Sequence, residues 1–199
     1  MCIRDSRWMS SAQKTTQACM TIEQFVAQSE GKWRSMRSGH SLAFQQFEEV
    51  LSEVTIEEIS REDSAIKQLI ESPLAKRFNL DTISSPFKME WCAESDWEPD
   101  DPSEVSSGHC IIIPFVKDMS SGTLIRSVGY AEAEAAISEY NFSNDGTFTL
   151  TTNYEQSIAE ERIWFVSENV RCRSSVLRTS AGSGVLQTSF ASEVRRINA

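Results

Sequence analysis

The sequence predicts an all-β protein with one or two short helices, folded as an antiparallel barrel or sandwich. Three observations predict it. Short segments of strand-like rhythm recur along most of the chain. Turn signals separate them, the strongest being "NDG" at Asn144–Gly146. No β-α-β alternation accompanies them, as a parallel sheet would require. A chain of 199 residues suits one domain, and folding at that size buries about 70% of the unfolded surface, so a core needs neither disulfide nor metal.

The elements follow in order. "MCIRDS" at Met1–Ser6 reads as a translated sequencing adapter and is set aside. From Arg7 to Ile22 there is no acidic residue while Ser and Thr abound, the composition of a disordered leader or of a transit-peptide remnant. Residues 1–19 are therefore expected to lie outside the fold, and 20–199 to form the domain. Thr21 to Gln24 has capping-box spacing, Ile22, Phe25 and Val26 follow at helical intervals, and Gly31 supplies the stop. Strands are expected around Ser41–Phe47, Val50–Ile59, Phe87–Cys92, His109–Val116, Thr123–Tyr130, Ala136–Phe142, Thr147–Tyr154, Glu161–Phe165, Val170–Leu177 and Leu186–Ile197. One helix interrupts them. It starts at Ser60 or Asp63, presents Ile66, Leu69 and Ile70 on one face, and ends at Pro73.

Composition narrows the function. A net charge of −10 and a pI near 4.8 argue against nucleic acid or an anionic membrane as the main partner. The five cysteines form no C-x-x-C pair, and with two histidines beside them no zinc-type cluster can be drawn; that usage fits a reducing compartment. Apolar runs such as Ile111–Ile113 fall far short of the ~20 residues of a helical membrane span.

Strand alternation then poses a question. Glu161, Ile163 and Phe165 share one face of a strand, and Arg171, Arg173 and Ser175 one face of the next. Charged strand residues ordinarily face water. The last strand shifts that balance: Gln187, Ser189, Ala191, Glu193 and Arg195 share a face on which small residues flank a carboxylate. Phe87, Met89 and Trp91 form a broad apolar face, with Trp97 soon after in an acidic loop. Planar aromatics, arginines and carboxylates on distant strands suit a planar anionic ligand that carries N–H donors of its own.

"GKWRSMRSGHSLAF", "SGTLIRSVGYAEAEAAISEYNFSNDGTFTLTTNYEQSIAEERIWF", "ENVRCRSSV" and "SFASEVRRI" closely resemble, in order and spacing, the S-type phycobiliprotein lyases of the CpcS/CpeS family. The resemblance spans about Met20 to Ile197. It implies a closed antiparallel lipocalin-like barrel with an N-terminal helix. It also implies a function: binding a free phycobilin, an open-chain tetrapyrrole, and promoting its thioether attachment to a cysteine of a phycobiliprotein subunit. Carried over by position, it selects Glu193, Arg171 and Glu161 as catalytic, and Arg37, His40, Trp33, Met89, Trp91, Trp97, Arg173 and Ser175 as substrate-binding.

The chemistry of these side chains agrees. Arg37 or Arg171 could hold the pigment's propionates by charge-assisted hydrogen bonds, and Glu193 or Glu161 could accept from its pyrrole N–H groups. Trp91, Trp97 and Met89 offer flat or polarizable surface to the conjugated rings. Simpler roles stand beside these: Trp33 and Met89 as core, Glu161 as a structural partner of Arg171, His40 as a satisfied polar residue at a strand start. No metal or cofactor is implied, the bilin being the substrate. A non-catalytic lipocalin-type carrier of a bilin or other small hydrophobic anion, or an assembly chaperone, would fit the same fold. Phycoerythrobilin is the expected pigment, a plastid of a cryptophyte-type alga or a cyanobacterial cytoplasm the expected location, and a homodimer is left open.

Overall fold

The computed structural model describes residues 20–42, 44–94, 107–128, 135–182 and 184–197. Helix α1 (Ile22–Ser29) is followed by strands β1 (Gly31–Ser41) and β2 (Gln46–Glu58), then helix α2 (Ser64–Ile70). Eight strands complete the chain: β3 (Phe87–Glu94), β4 (Ser107–Val116), β5 (Ser121–Arg126), β6 (Ala136–Phe142), β7 (Phe148–Asn153), β8 (Ser157–Ser167), β9 (Val170–Thr179) and β10 (Val185–Arg195). All pair antiparallel with their sequence neighbours, and β10 returns to β1, closing the barrel. Closure leaves no unpaired edge.

Helix α1 forms where the capping box was expected: the Thr21 hydroxyl accepts from the Gln24 amide and the Gln24 side chain accepts from the Thr21 amide. Its face of Ile22, Phe25 and Val26 seals one end of the barrel. Phe25 stacks on Phe148 at 4.2 Å and leans on Phe142 at 5.8 Å. Arg195, from the last strand, fixes the helix's C-terminal end. Its guanidinium donates to the Glu30 carbonyl and, at 2.6 Å, to the Gln28 carbonyl, a cation at the negative end of the helix. Gly31, at φ +111°, makes the turn into β1.

The expected strand over Ser41–Phe47 is corrected by the structure. The first strand runs from Gly31 to Ser41, and β2 begins at Gln46, just after Gln45 at φ +55°. The Asn144–Gly146 turn joins β6 to β7, with Gly146 at φ +83° and the Asp145 carboxylate accepting from the Thr147 amide at 3.0 Å.

Helix α2 covers the outside of the barrel. Ile66, Leu69, Ala75 and Ile83 pack against Ile111, Ile113, Phe115 and Ile125. Strand β4 thus has apolar neighbours on both faces, inside the barrel through Cys110 and Ile112 and outside through Ile111 and Ile113, which accounts for its unbroken apolar run.

Candidate functional site

The interior divides into two halves. Next to α1 it is filled by Trp33, Val54, Ile56, Phe87, Leu124, Tyr140, Phe142, Phe148 and Leu150, all buried. Toward the other end, where the β1–β2 and β9–β10 turns lie, the inward positions are polar or small. Register lays them out in rungs. Ser35, Glu193 and Arg171 are neighbours across β1, β10 and β9; Arg37, Ala191 and Arg173 form the next rung, and Gly39, Ser189, Ser175 and Glu161 the one beyond. Ser189, Arg173 and Arg37 are half-buried although they face inward. Solvent therefore reaches this half.

Glu193 is the centre of the first cluster, 1% exposed. Arg171 donates its Nε–H to Oε2, the Ser35 hydroxyl donates to Oε1 at 3.2 Å, and an Arg173 Nη lies 3.7 Å from Oε1. Burial pushes the Glu193 carboxyl up, but the charges of Arg173 and Arg171 and the hydrogen bonds from Arg171 and Ser35 outweigh it and hold it below its ordinary value. It is a buried anion. Arg171 is fixed from below as well, its guanidinium 4.6 Å above the Trp33 ring, which Arg195 covers at 4.2 Å. Trp33 itself is fully buried, with its indole N–H on the Ser29 carbonyl at 2.8 Å. It supports Arg171 rather than lining the open half.

The second cluster involves a residue that sequence reasoning missed. Glu161 pairs with Arg126 of β5 at 2.7 Å, and both are buried. The simpler alternative, a Glu161–Arg171 bridge, is not what forms: Glu161 pairs with Arg126 and Arg171 with Glu193. On β6 and β7, between Arg126 and Glu161 in the barrel wall, the hydroxyls of Ser138 and Thr152 bond each other at 2.6 Å, and on β9 and β10 those of Ser175 and Ser189 do so at 2.7 Å.

The remaining candidates are placed as follows. Met89 and Trp91 face inward, half-buried against the apolar core. Trp91 lies across Gly108, where a Cβ would come within 3.0 Å of the indole Cε2, so only glycine leaves room for that ring. Trp97 lies outside the described residues. Arg37 points into the open end but is taken by Glu48 at 2.7 Å. His40 is not brought to the site. It sits on the outer face, exposed, with its ring 4.8 Å from that of Phe47. Arg37 lies four positions after Trp33 and His40 three positions after Arg37, so strand alternation puts the first two on one face and His40 on the other. Alternation also signals Ser35, between Trp33 and Arg37, and Arg126, two residues beyond Leu124.

The cysteines stand apart. Cys172 faces outward between the two inward arginines, and burial and the Glu193 charge push its thiol up, the reverse of an activated nucleophile. Cys92 is exposed and Cys110 is buried, its Sγ 3.5 Å from the Val128 carbonyl. Among the described residues no helix is long and apolar enough to cross a membrane, and no cluster of His, Cys, Asp or Glu is placed to hold a metal.

The family model described as CpeS-like protein matches residues 21–196. The chain belongs to this family. It is 46% identical over 178 residues to "Chromophore lyase CpcS/CpeS 3" of Trichodesmium erythraeum, an alignment covering 88% of this chain and 99% of that one. A protein of Microchaete diplosiphon, provisionally named phycoerythrobilin lyase CpeS, is 43% identical over 171 residues, 83% of this chain and 72% of its own. Among solved structures, the S-type phycobiliprotein lyase CpeS from Guillardia theta superposes with a TM-score of 0.74 at 34% identity, covering 90% of this chain and 95% of that one. The closed antiparallel barrel and the family resemblance read from the sequence are thus borne out.

Proposed function

We propose that this protein is a chromophore lyase. In this reading it binds an open-chain tetrapyrrole in the polar half of its barrel and promotes its attachment to a cysteine of a phycobiliprotein subunit. One observation carries the reading: a chain of the CpeS-like family places two buried carboxylate–arginine pairs, Glu193–Arg171 and Glu161–Arg126, on the inward faces of the barrel. A carrier of fatty acids would need an apolar interior and one cation. Buried carboxylates are costly unless hydrogen-bonded, and a ligand with pyrrole N–H groups is one that can use them. The two oxygens of Glu193 offer about four lone-pair sites, and Arg171, Ser35 and Arg173 approach them, leaving capacity for a ligand donor.

The reaction is addition of the acceptor's cysteine thiolate to the exocyclic double bond of ring A, forming a carbon–sulfur bond. The barrel contributes positioning and exclusion of water. A carboxylate on the pyrrole nitrogens stabilises positive charge on the conjugated system and makes ring A more electrophilic. Arg173, near Glu193 and partly open to solvent, suits one propionate, while Trp91 and Met89 supply surface for the rings.

Phycoerythrobilin is the pigment we assign, supported by the name of the Microchaete diplosiphon relative. The Ser/Thr-rich stretch from Arg7 supports a plastid, whereas similarity to proteins of cyanobacteria supports a cyanobacterial cytoplasm. Incubation with an apo-subunit and phycoerythrobilin, followed by mass spectrometry of the acceptor, tests the function. A thioether adduct on an acceptor cysteine, formed faster than without the protein, is the expected result. Pigment binding with no acceleration of transfer would make it a carrier, and faster transfer of phycocyanobilin in direct competition would overturn the pigment assignment.

A further inference from the structure

The Arg126–Glu161 pair is built unlike an ordinary structural bridge. Arg126 is the last residue of β5, at the open end, and Glu161 is on β8; β6 and β7 stand between them in the barrel wall. The pair therefore runs as a chord across the interior. The intervening strands place Ser138 and Thr152 near it, short side chains whose hydroxyls satisfy each other. Arg126 is only 7% exposed and Glu161 2%. One guanidinium nitrogen, Nη1, donates to Glu161 at 2.7 Å, but the Nε–H is buried with no hydrogen-bond partner among the described residues. A buried donor left unmet is costly, and most such groups in folded proteins are satisfied. Burial lowers the Arg126 pKa, but the charge and hydrogen bond of Glu161, together with Cys110 and Tyr154, outweigh it, so the group is held above its ordinary value and stays a cation.

We propose that Arg126 is a carboxylate anchor of the barrel: its unmet Nε–H receives an oxygen of one propionate of the tetrapyrrole while Nη1 stays on Glu161. The inference rests on the bilin-binding reading above. A carboxylate is favoured over a neutral carbonyl because an anionic acceptor makes the stronger hydrogen bond to a guanidinium. Arg171 is tied to Glu193 and Arg37 to Glu48, and Arg173 lies near Glu193. A ligand with two propionates brings two negative charges into this wall, and Arg173 and Arg126 are on different strands, able to take one each. Guanidinium groups suit this role because their donors are fixed in a plane and can serve two carboxylates at once. Glu161 then acts on the ligand partly through Arg126, which it orients.

The test is a cycle of four dissociation constants: wild type and Arg126→Gln, each with free-acid phycoerythrobilin and with its dimethyl ester, read by absorbance titration. The expected result is a loss on the order of ten- to a hundredfold for the free acid on substitution, and a loss under about threefold for the ester, whose esterified groups carry no charge to lose. Equal losses for acid and ester would overturn the anchor and leave Arg126 a structural residue. If Arg126→Gln does not fold, because it strands the Glu161 charge, the same cycle is run with Glu161→Gln against Glu161→Gln/Arg126→Gln, and the same two outcomes decide. Binding of neither pigment form by the wild type would overturn the bilin reading itself, a result distinct from equal losses.

Discussion

The two halves of the barrel interior are built from the same strands yet hold opposite materials. Next to α1, Phe25, Tyr140, Phe142 and Phe148 meet ring on ring, with Phe142 and Phe148 at 4.9 Å and Tyr140 and Phe148 at 5.6 Å. At the other end, Glu193, Glu161, Arg171 and Arg126 are equally buried but paired by charge. A core needs only the first half. Burying ion pairs is no efficient route to stability, since desolvation consumes much of the Coulomb gain. In the proposed reading they serve the pigment, and substitutions in the two halves should then separate stability from pigment handling.

The largest effect is expected in the aromatic half. Phe148→Ala removes a side chain 1% exposed and should cost about 3–5 kcal/mol in urea unfolding, while the folded fraction keeps the bound-pigment spectrum of the parent. A changed spectrum would mean that the ligand extends into the aromatic half.

Glu193→Gln should cost about 3 kcal/mol, because it leaves Arg171 buried without its counter-charge, and should also shift the pigment spectrum and slow transfer. This variant has a pH signature. The folded Glu193 pKa lies below the ordinary carboxylate value, so its contribution is present above that ordinary value and is lost as pH falls through the lower folded one. Wild type and variant should differ in stability at neutral pH and converge in acid; parallel curves would mean that the charge is not what stabilises the wall.

Smaller effects probe the outer face. Cys172→Ser should transfer bilin within about twofold of the parent and change stability by no more than about 0.5 kcal/mol, since the thiol faces away from the arginines. A transient bilin adduct on Cys172 during turnover would contradict that placement and show that the protein carries the pigment on its own thiol. His40→Ala should be smaller still, under about 0.5 kcal/mol with an unchanged pigment spectrum, because the ring lies on the outer face against Phe47.

Much of this was legible in the sequence, for local reasons. Alternation placed Arg171, Arg173 and Ser175 on one face and Glu193 on another, and the "NDG" turn and the Thr21 capping box are each specified by neighbouring residues. Strand β1 was missed over most of its length because its inward side carries Ser35 and Arg37 as well as Trp33, which erases the apolar rhythm that marks a strand. The Arg126–Glu161 pair joins β5 to β8 across the interior, a contact set by barrel closure. Alternation could flag Arg126 as inward but could not name its partner. His40 entered through the family resemblance alone, and the three-position step from Arg37 turned it outward.

The central claim, that the charged half of the barrel is a pigment site, is tested most directly by titrating phycoerythrobilin with the purified protein and recording its absorption, with Glu193→Gln alongside. The account predicts a displaced band that saturates at one pigment per chain and a differently placed band for the variant. A free-pigment spectrum with the wild type, or a displaced band that Glu193→Gln reproduces unchanged, would contradict it.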